Sequence, residues 1–494
     1  MPYSEHIEHM DLILACEDFS NEEFENYHCF FSYEEGILSQ LMAHGPVLLK
    51  GGRGTGKSAL LREAARRLNS SANAPTFGIY MSLRHLPLLR SQGSQYEAEF
   101  LRILYDKVKE VTSAFECDVD PFLDVYSTHQ ALNHLSDSLN KRLVLLFDDA
   151  AHIGREAGLE EFFDIFRTLS SNKVSCKAAI YPGVTKFGTR FDVYNDAKII
   201  DIARRKEQPD FQKFFLEVMK SRFAKQIDQC DFSTTLHIEE VAEFLGMAVL
   251  GNVRSFIQGC AMLFEHTQKI SLTLMSETML RLASDFFWPM LEEVKIKIGM
   301  YEPLMAGSIK LAEKIYAECG SKRATSCIIH RQWVSKYAKP LEILEYVGFI
   351  AKREASRGLK SGGRGTRYAL NLCNTLENIS GTRLTQELFS LWMGNSQEDT
   401  QFSANTNIFD DVILGTPDSN QEIGILNLPI AVLRKSKIFP NGLTEDKIQR
   451  LEARGWNTVG EVAEKTDTEL QEIEMIGPKT VTRIKNTVEQ AIWM

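Results

Sequence analysis

The sequence has 494 residues, 44% of them hydrophobic and 25% charged, which is the make-up of a soluble globular protein of two to four domains. A formal net charge of −10 argues against binding nucleic acid through bulk charge and leaves any such contact to local patches. No apolar run approaches the roughly 20 residues of a membrane span. The acidic start lacks the basic stretch of a signal or transit peptide, and the nine cysteines contain no Cys-x-x-Cys pair, which points to a reducing cytoplasm and away from zinc or disulfides.

In chain order, residues 1–30 read as a polar lead-in. Between 31 and 205, apolar runs of strand length at 46–50, 77–81, 143–147, 177–181 and 198–202 alternate with helical patterns. That alternation predicts an α/β fold, a parallel sheet sandwiched by helices. Residues 206–288 read as helical, for example at 211–223 and 238–245. A further helical region, 289–395, ends in a basic, glycine-rich stretch. Residues 396–426 read as a polar linker, and 427–494 as a small all-α unit.

The stretch Gly51-Gly52-Arg53-Gly54-Thr55-Gly56-Lys57-Ser58 fits G-x-x-x-x-G-K-[ST], between an apolar strand and a helix that continues through Ala59. Glycines let the backbone turn its N–H groups onto phosphates, and the helix N-terminus favours the same anion. Lys57 is placed to reach the β and γ phosphates of ATP, and the Ser58 hydroxyl to ligate Mg²⁺. The run ending in Asp148-Asp149 puts carboxylates at the tip of a buried strand beside that loop. Asp148 suits Mg²⁺ held through water. Asp149 either polarises an attacking water or caps the next turn. It is one methylene shorter than the Glu usual at such a base, so ATP binding is the firmer expectation and turnover the weaker.

These residues resemble AAA+ ATPases of the origin-recognition-complex type and the related STAND switch ATPases. The resemblance covers about 31–285 and rests on GGRGTGKS, on FDDAAH (147–152) and on Gly251-Asn252-Val253-Arg254. It implies a helical lid over 206–288. Arg254 would be the sensor-2 arginine on the γ-phosphate, Thr185 a sensor-1 contact where the family more often has Asn, and Arg167, Arg190 or Arg204 an arginine finger. His152 and His330 have no metal-ligand spacing around them and read as structural.

"GGRGT" recurs at 362–366, without the Lys-Ser. Helical patterns at 308–319, 328–337 and 340–346 precede two short strands, 349–353 and 367–371. This resembles a winged helix. Lys352, Arg353, Arg357, Lys360, Arg364 and Arg367 face only Glu354 along this segment, which suits contact with the DNA backbone. A solvated loop or a protein-binding surface is the alternative.

The C-terminal unit resembles the C-terminal domain of the RNA polymerase α subunit and helix-hairpin-helix domains, through Gly455-Trp456-Asn457-Thr458-Val459-Gly460 and Ile476-Gly477-Pro478-Lys479-Thr480. The resemblance implies N–H groups at Gly477 to Thr480 facing a DNA phosphate, helped by Lys479, Thr480 and Arg483. Met475 departs from it, standing where such hairpins prefer glycine, and a protein-docking role is the alternative. Together these features lead to an ATP-dependent, DNA-associated regulator. Any effector chemistry falls to a protein partner, with a homo-oligomer as a further assembly and no membrane. The alternative is a STAND-like switch whose last domains bind protein. A P-loop kinase ranks third.

Overall fold

The computed structural model describes residues 19–493 apart from 72, 116, 152–157, 184–186, 189, 235, 266–268, 395–397, 419–422 and 437–441. The five apolar runs form five strands: β1 (Val47–Lys50), β2 (Thr76–Ser82), β3 (Arg142–Ala151), β4 (Val174–Ile180) and β5 (Lys198–Asp201). They make one parallel sheet in the order β2-β3-β4-β1-β5. Parallel strands need crossovers, and the crossover helices cover both faces. On one face Leu48, Leu145, Cys176 and Ala178 pack against Phe100, Leu132, Phe162 and Phe166. On the other, Val47, Leu49, Leu146 and Ala179 pack against Leu38, Leu60, Leu61 and Ala64. The fold is therefore the expected α/β sandwich.

The β3–β4 register breaks between Phe147 and Ala151. The irregularity carries Asp149 in a left-handed conformation, φ 52°, which Asp tolerates better than most residues. It takes Asp148 and Asp149 out of register with β4 at the strand tip, while Asp148 still pairs with Ser82 of β2.

Residues 19–30, expected to be an indefinite lead-in, are ordered around the Asn21–Tyr27 helix. Ser20 and Glu23 form its capping box, and Phe24 is buried against Ala59 behind the Gly-rich loop.

The helices Phe211–Asp228, Ile238–Ala248, Val253–Leu263 and Leu272–Leu282, in the region expected to form a lid, follow the sheet. Their core, with Phe215, Phe244 and Phe256, continues without a break into Leu344, Phe349, Trp392 and Phe402. The expected boundary at 288/289 falls inside a helical run, a π turn Ala283–Phe287 leading directly into Trp288–Val294.

Beyond it come the helix Met305–Ser321, β6 (Ser326–His330), the helices Arg331–Lys336 and Ala338–Tyr346, and the hairpin β7 (Ile350–Gly358) and β8 (Arg364–Leu370). The expected helix 328–337 is corrected. Cys327, Ile328 and Ile329 are buried in a strand antiparallel to β8, as suits a β-branched pair, and the helix starts only at Arg331. The hairpin is also longer than the two short strands expected, with pairing running out to Gly358 opposite Arg364. The turn is tight because Gly362 and Gly363 take φ 91° and 81°, where side chains are strained.

The linker reading of 396–426 is corrected as well. Thr400–Phe402 form β9, parallel to β6, and Phe402, Phe409 and Val412 are buried. A few apolar anchors suffice to order this otherwise polar segment. The C-terminal unit has its own core, Leu433, Ile448, Leu451, Leu470 and Ile484 among it, which rests on Leu86, Leu89 and Ile296. Among the described residues no helix is long and apolar enough to cross a membrane.

Candidate functional site

The Gly-rich loop joins β1 to the Lys57–Leu68 helix at the carboxyl edge of the sheet. Gly54 and Gly56 have φ 81° and 96°. A Cβ on Gly54 would lie 2.6 Å from Asn252 Oδ1, and one on Gly51 would lie 2.5 Å from Thr55 Oγ1. Gly52 is tight too, since a Cβ there would be 3.3 Å from the Glu345 carbonyl. The Thr55 hydroxyl donates to the Gly52 carbonyl at 2.9 Å.

Lys57 is buried. Its ammonium donates to the Gly51 and Gly52 carbonyls, each at 2.9 Å, and lies 3.6 Å over the Tyr181 ring. Burial pushes its pKa down to about 7, against the pull of Asp149 and Asp148. Ser58 lines the cleft one residue on, and Ala59 faces Phe19 and Phe24.

Asp148 is fully buried, with Oδ2 accepting from the Tyr80 hydroxyl at 2.8 Å and Oδ1 from the Asp149 N–H at 2.9 Å. Asp149 is engaged on both oxygens. Oδ2 pairs with Arg84 Nε at 2.6 Å, and Oδ1 accepts from the Tyr181 hydroxyl at 3.1 Å. Arg84, Tyr80 and Tyr181 were not singled out by sequence. They stand near strand ends, where no motif spacing marks them.

The lid touches the loop directly. Asn252 caps the Val253–Leu263 helix through Ser255 N–H and donates to the Arg53 carbonyl. The Arg254 N–H donates to the Gly54 carbonyl at 3.2 Å, and the Arg254 side chain lines the cleft.

Arg204 is corrected as a finger candidate. Its guanidinium bonds Glu34 at 2.9 Å and the Thr55 carbonyl at 2.7 Å, under the loop and over Phe214. Buried there, it cannot reach a neighbouring subunit. Arg167 donates to the Arg190 carbonyl at 2.5 Å and faces Asp196 at 3.3 Å, while Arg190 is 78% exposed. Thr185 and His152 lie outside the described residues. His330 accepts the Gln332 N–H at a helix N-terminus, a structural role.

The same cleft is lined by Arg53 and Lys57 and by the aromatic side chains of Phe19, His28, Phe214 and Trp493. Burial pushes the His28 imidazole down to about 4. The N-terminal aromatics could have been noticed from their density between 19 and 31, whereas nothing in the sequence ties Trp493 to this place.

The residues fit a nucleotide. The glycines let the loop backbone pack closely on Thr55, Ile202 and Asn252, and Arg53 Nη1 is buried without a hydrogen-bond partner among the described residues, a donor in need of an anion. Ser58 and Asp148 are the oxygens that would hold Mg²⁺. Among the described residues no cluster of three or more His, Cys, Asp or Glu would hold a metal by itself.

The helix-and-hairpin unit that follows the lid also reaches the loop. The Arg53 N–H donates to the Tyr346 carbonyl at 3.2 Å, Tyr346 packs edge-on against Tyr181 at 5.1 Å, and Lys339 donates to the Gly183 carbonyl at 2.9 Å. On its far side the basic hairpin is more opposed than expected, because β9 brings Glu398 and Asp399 alongside. Arg367 pairs with Asp399 at 2.6 Å, Arg357 with Glu354 at 2.7 Å and Lys360 with Glu398 at 3.0 Å. Arg364 bonds Ser356, Arg353 is half-buried facing Arg205, Glu207 and Asp201, and Lys352 is exposed.

In the C-terminal hairpin Gly477 and Lys479 are exposed, but the Thr480 N–H is taken by the Gly477 carbonyl at 2.9 Å. Arg483 leans on the Gly442 carbonyl at 3.4 Å. Met475 has φ 66°, a conformation glycine would adopt freely.

No protein-family model matches the sequence, and no curated protein does. Among solved structures, the chain is similar to a Walker-type ATPase of Pyrococcus abyssi, with 15% identity over 69% of this chain and 93% of that one, at a TM-score of 0.41. Domain III of the Thermotoga maritima replication initiation protein DnaA matches at 15% identity over 52% and 96%, TM-score 0.30. Drosophila ORC bound to DNA matches at 13% over 80% and 96%, TM-score 0.31. These are loose likenesses of chain path. The site is a glycine-rich loop at the carboxyl edge of a parallel α/β sheet, with Arg254 and two strand-tip carboxylates beside it.

Proposed function

We propose that this chain is an ATP-binding switch of the AAA+ type, described here in a closed state. One observation carries the reading. The Tyr346 carbonyl, from the unit expected to pass the signal on, occupies an N–H of the phosphate loop at Arg53. A phosphate in the cradle competes for that N–H and for the Lys57 ammonium now held by Gly51 and Gly52. Nucleotide binding and the seating of the 305–394 unit are therefore coupled through shared donors. Bound ATP with Mg²⁺ supplies the polyanion. Lys57, Ser58 and Arg254 orient it, and Asp148 holds the metal through water.

Asp149 is the base for hydrolysis only after Arg84 and Tyr181 release it, so turnover is slow. The STAND-like alternative is thereby favoured over a free DNA-reading wing, because the helix Ala338–Tyr346 of this unit packs against the phosphate loop and the cations of its exposed hairpin are largely paired. DNA contact through Lys352, Arg364, Lys479 and Arg483, and self-association through Arg190 or Arg167, remain subsidiary parts of the proposal.

Calorimetry with ATP and ADP tests the core of it. Wild type should bind and Lys57→Ala should not, and undiminished binding by that variant would remove the cradle assignment. Hydrogen exchange at 338–346 should rise when ATP is added. No change there would separate nucleotide binding from the switch. DNA affinity that falls with salt and with an Arg364→Ala/Lys352→Ala pair would restore the DNA reading.

A further inference from the structure

We propose that the C-terminal helical unit is part of the nucleotide site, with Trp493 as the wall against which the base lies; this rests on the nucleotide reading above. Trp493 ends the helix Pro478–Trp493 and is 7% exposed. It belongs to the core of its own unit. It also lines the same cleft as Arg53, Lys57 and Arg254.

The cleft is lined by cations and by aromatic rings. Its aromatic lining comes from three distant parts of the chain: Phe19 and His28 from the N-terminal segment, Phe214 from the helix Phe211–Asp228, and Trp493. Arg222 adds a flat cation 5.0 Å over the Phe19 ring. Cations for phosphates and aromatic faces for a heterocycle suit the two halves of a purine nucleoside di- or triphosphate. An aromatic face stacks on such a base without demanding a particular hydrogen-bond pattern.

A second contact holds the unit in place. Arg90 pairs with Glu464, and Gly460 lies so close that a Cβ would be 2.8 Å from the Leu426 carbonyl and 2.9 Å from Arg90 Nη2. Leu86 and Leu89 pack beneath it. The clamp stands outside the cleft, so it can be broken without touching the nucleotide's contacts. Base and unit then hold each other. Nucleotide favours docking of the C-terminal unit on the sheet domain, and the docked unit tightens nucleotide binding by the same factor, which the release rate reads.

Stopped-flow release of mant-ADP from the full chain tests this. Trp493→Ala should release the probe about tenfold faster, about 1.4 kcal/mol. Glu464→Arg should also speed release by several-fold, and adding Arg90→Glu to it should restore slow release. ADP should change the tryptophan emission of wild type and not that of Trp493→Ala. Release rates unchanged in both single variants would overturn the proposal, as would slower release from Trp493→Ala, which would make Trp493 an obstruction. Glu464→Arg keeps the test open if Trp493→Ala unfolds the small unit. Retained mant-ADP binding by Lys57→Ala would sink the phosphate cradle and leave the wall standing.

Discussion

Arg84 and Asp149 form a buried ion pair, their side chains 13% and 1% exposed. Removing one partner of such a pair leaves an uncompensated charge and costs about 3 kcal/mol or more. Arg84→Ala should therefore lower the melting temperature, and Arg84→Ala/Asp149→Asn should recover much of the loss. An additive double mutant would show that the pair is not coupled. Gly54→Ala is a second residue-scale prediction. It places a Cβ at φ 81° against Asn252, and about 1–3 kcal/mol of strain should appear as lost stability together with weakened nucleotide binding.

Gly51 to Ser58 are legible because the phosphate cradle needs a fixed order of residue types within one loop. Arg84 is not, because it meets Asp149 only through pairing of β2 with β3, and an arginine after a strand is commonplace. Arg204 misled for the same reason: its role depends on Glu34 and Thr55, far away in sequence.

At the scale of elements, the N-terminal helix ties its stability to pH. The His28 value near 4 comes first from burial; the Phe24 carbonyl opposes this, and Arg222 and Arg62 add to it. An unfolded histidine titrates near 6.5, so between about 6.5 and 4 the unfolded chain binds more protons. Stability is complete above that window and falls as pH drops through it. Thermal melts at pH 7 and pH 5 should show the loss, and His28→Gln should flatten the difference. A slope unchanged in that variant would assign the effect elsewhere.

The strands of the main sheet were legible because both faces are covered, which writes them as continuous apolar runs. Three-residue β9 was not, since it gains its place from β6 rather than from its own pattern. With it went Glu398 and Asp399, and so the charge balance of the hairpin. Asp399→Asn should leave Arg367 without its 2.6 Å partner, and any latent anion binding by the hairpin should then increase in a salt-dependent filter assay.

For the whole molecule, four large bodies of core are present among the described residues: one on each face of the sheet, one shared by the lid region and the hairpin unit, and one in the C-terminal unit. The cleft takes its lining from several of them, which is why composition and local motifs locate its glycine-rich loop and not its aromatic lining. Switching on this plan is a change of docking between bodies, with each body left intact.

The shared core has a practical side. Because Phe215, Phe244 and Phe256 pack in one cluster with Phe349, Trp392 and Phe402, the chain has no natural cutting point at 288. A polypeptide ended there exposes the inner face of its lid and should aggregate, whereas one ended at 418 keeps that face covered and should remain in solution. Gene fusions and natural truncations of this architecture are accordingly expected to spare everything up to β9 and to vary beyond it.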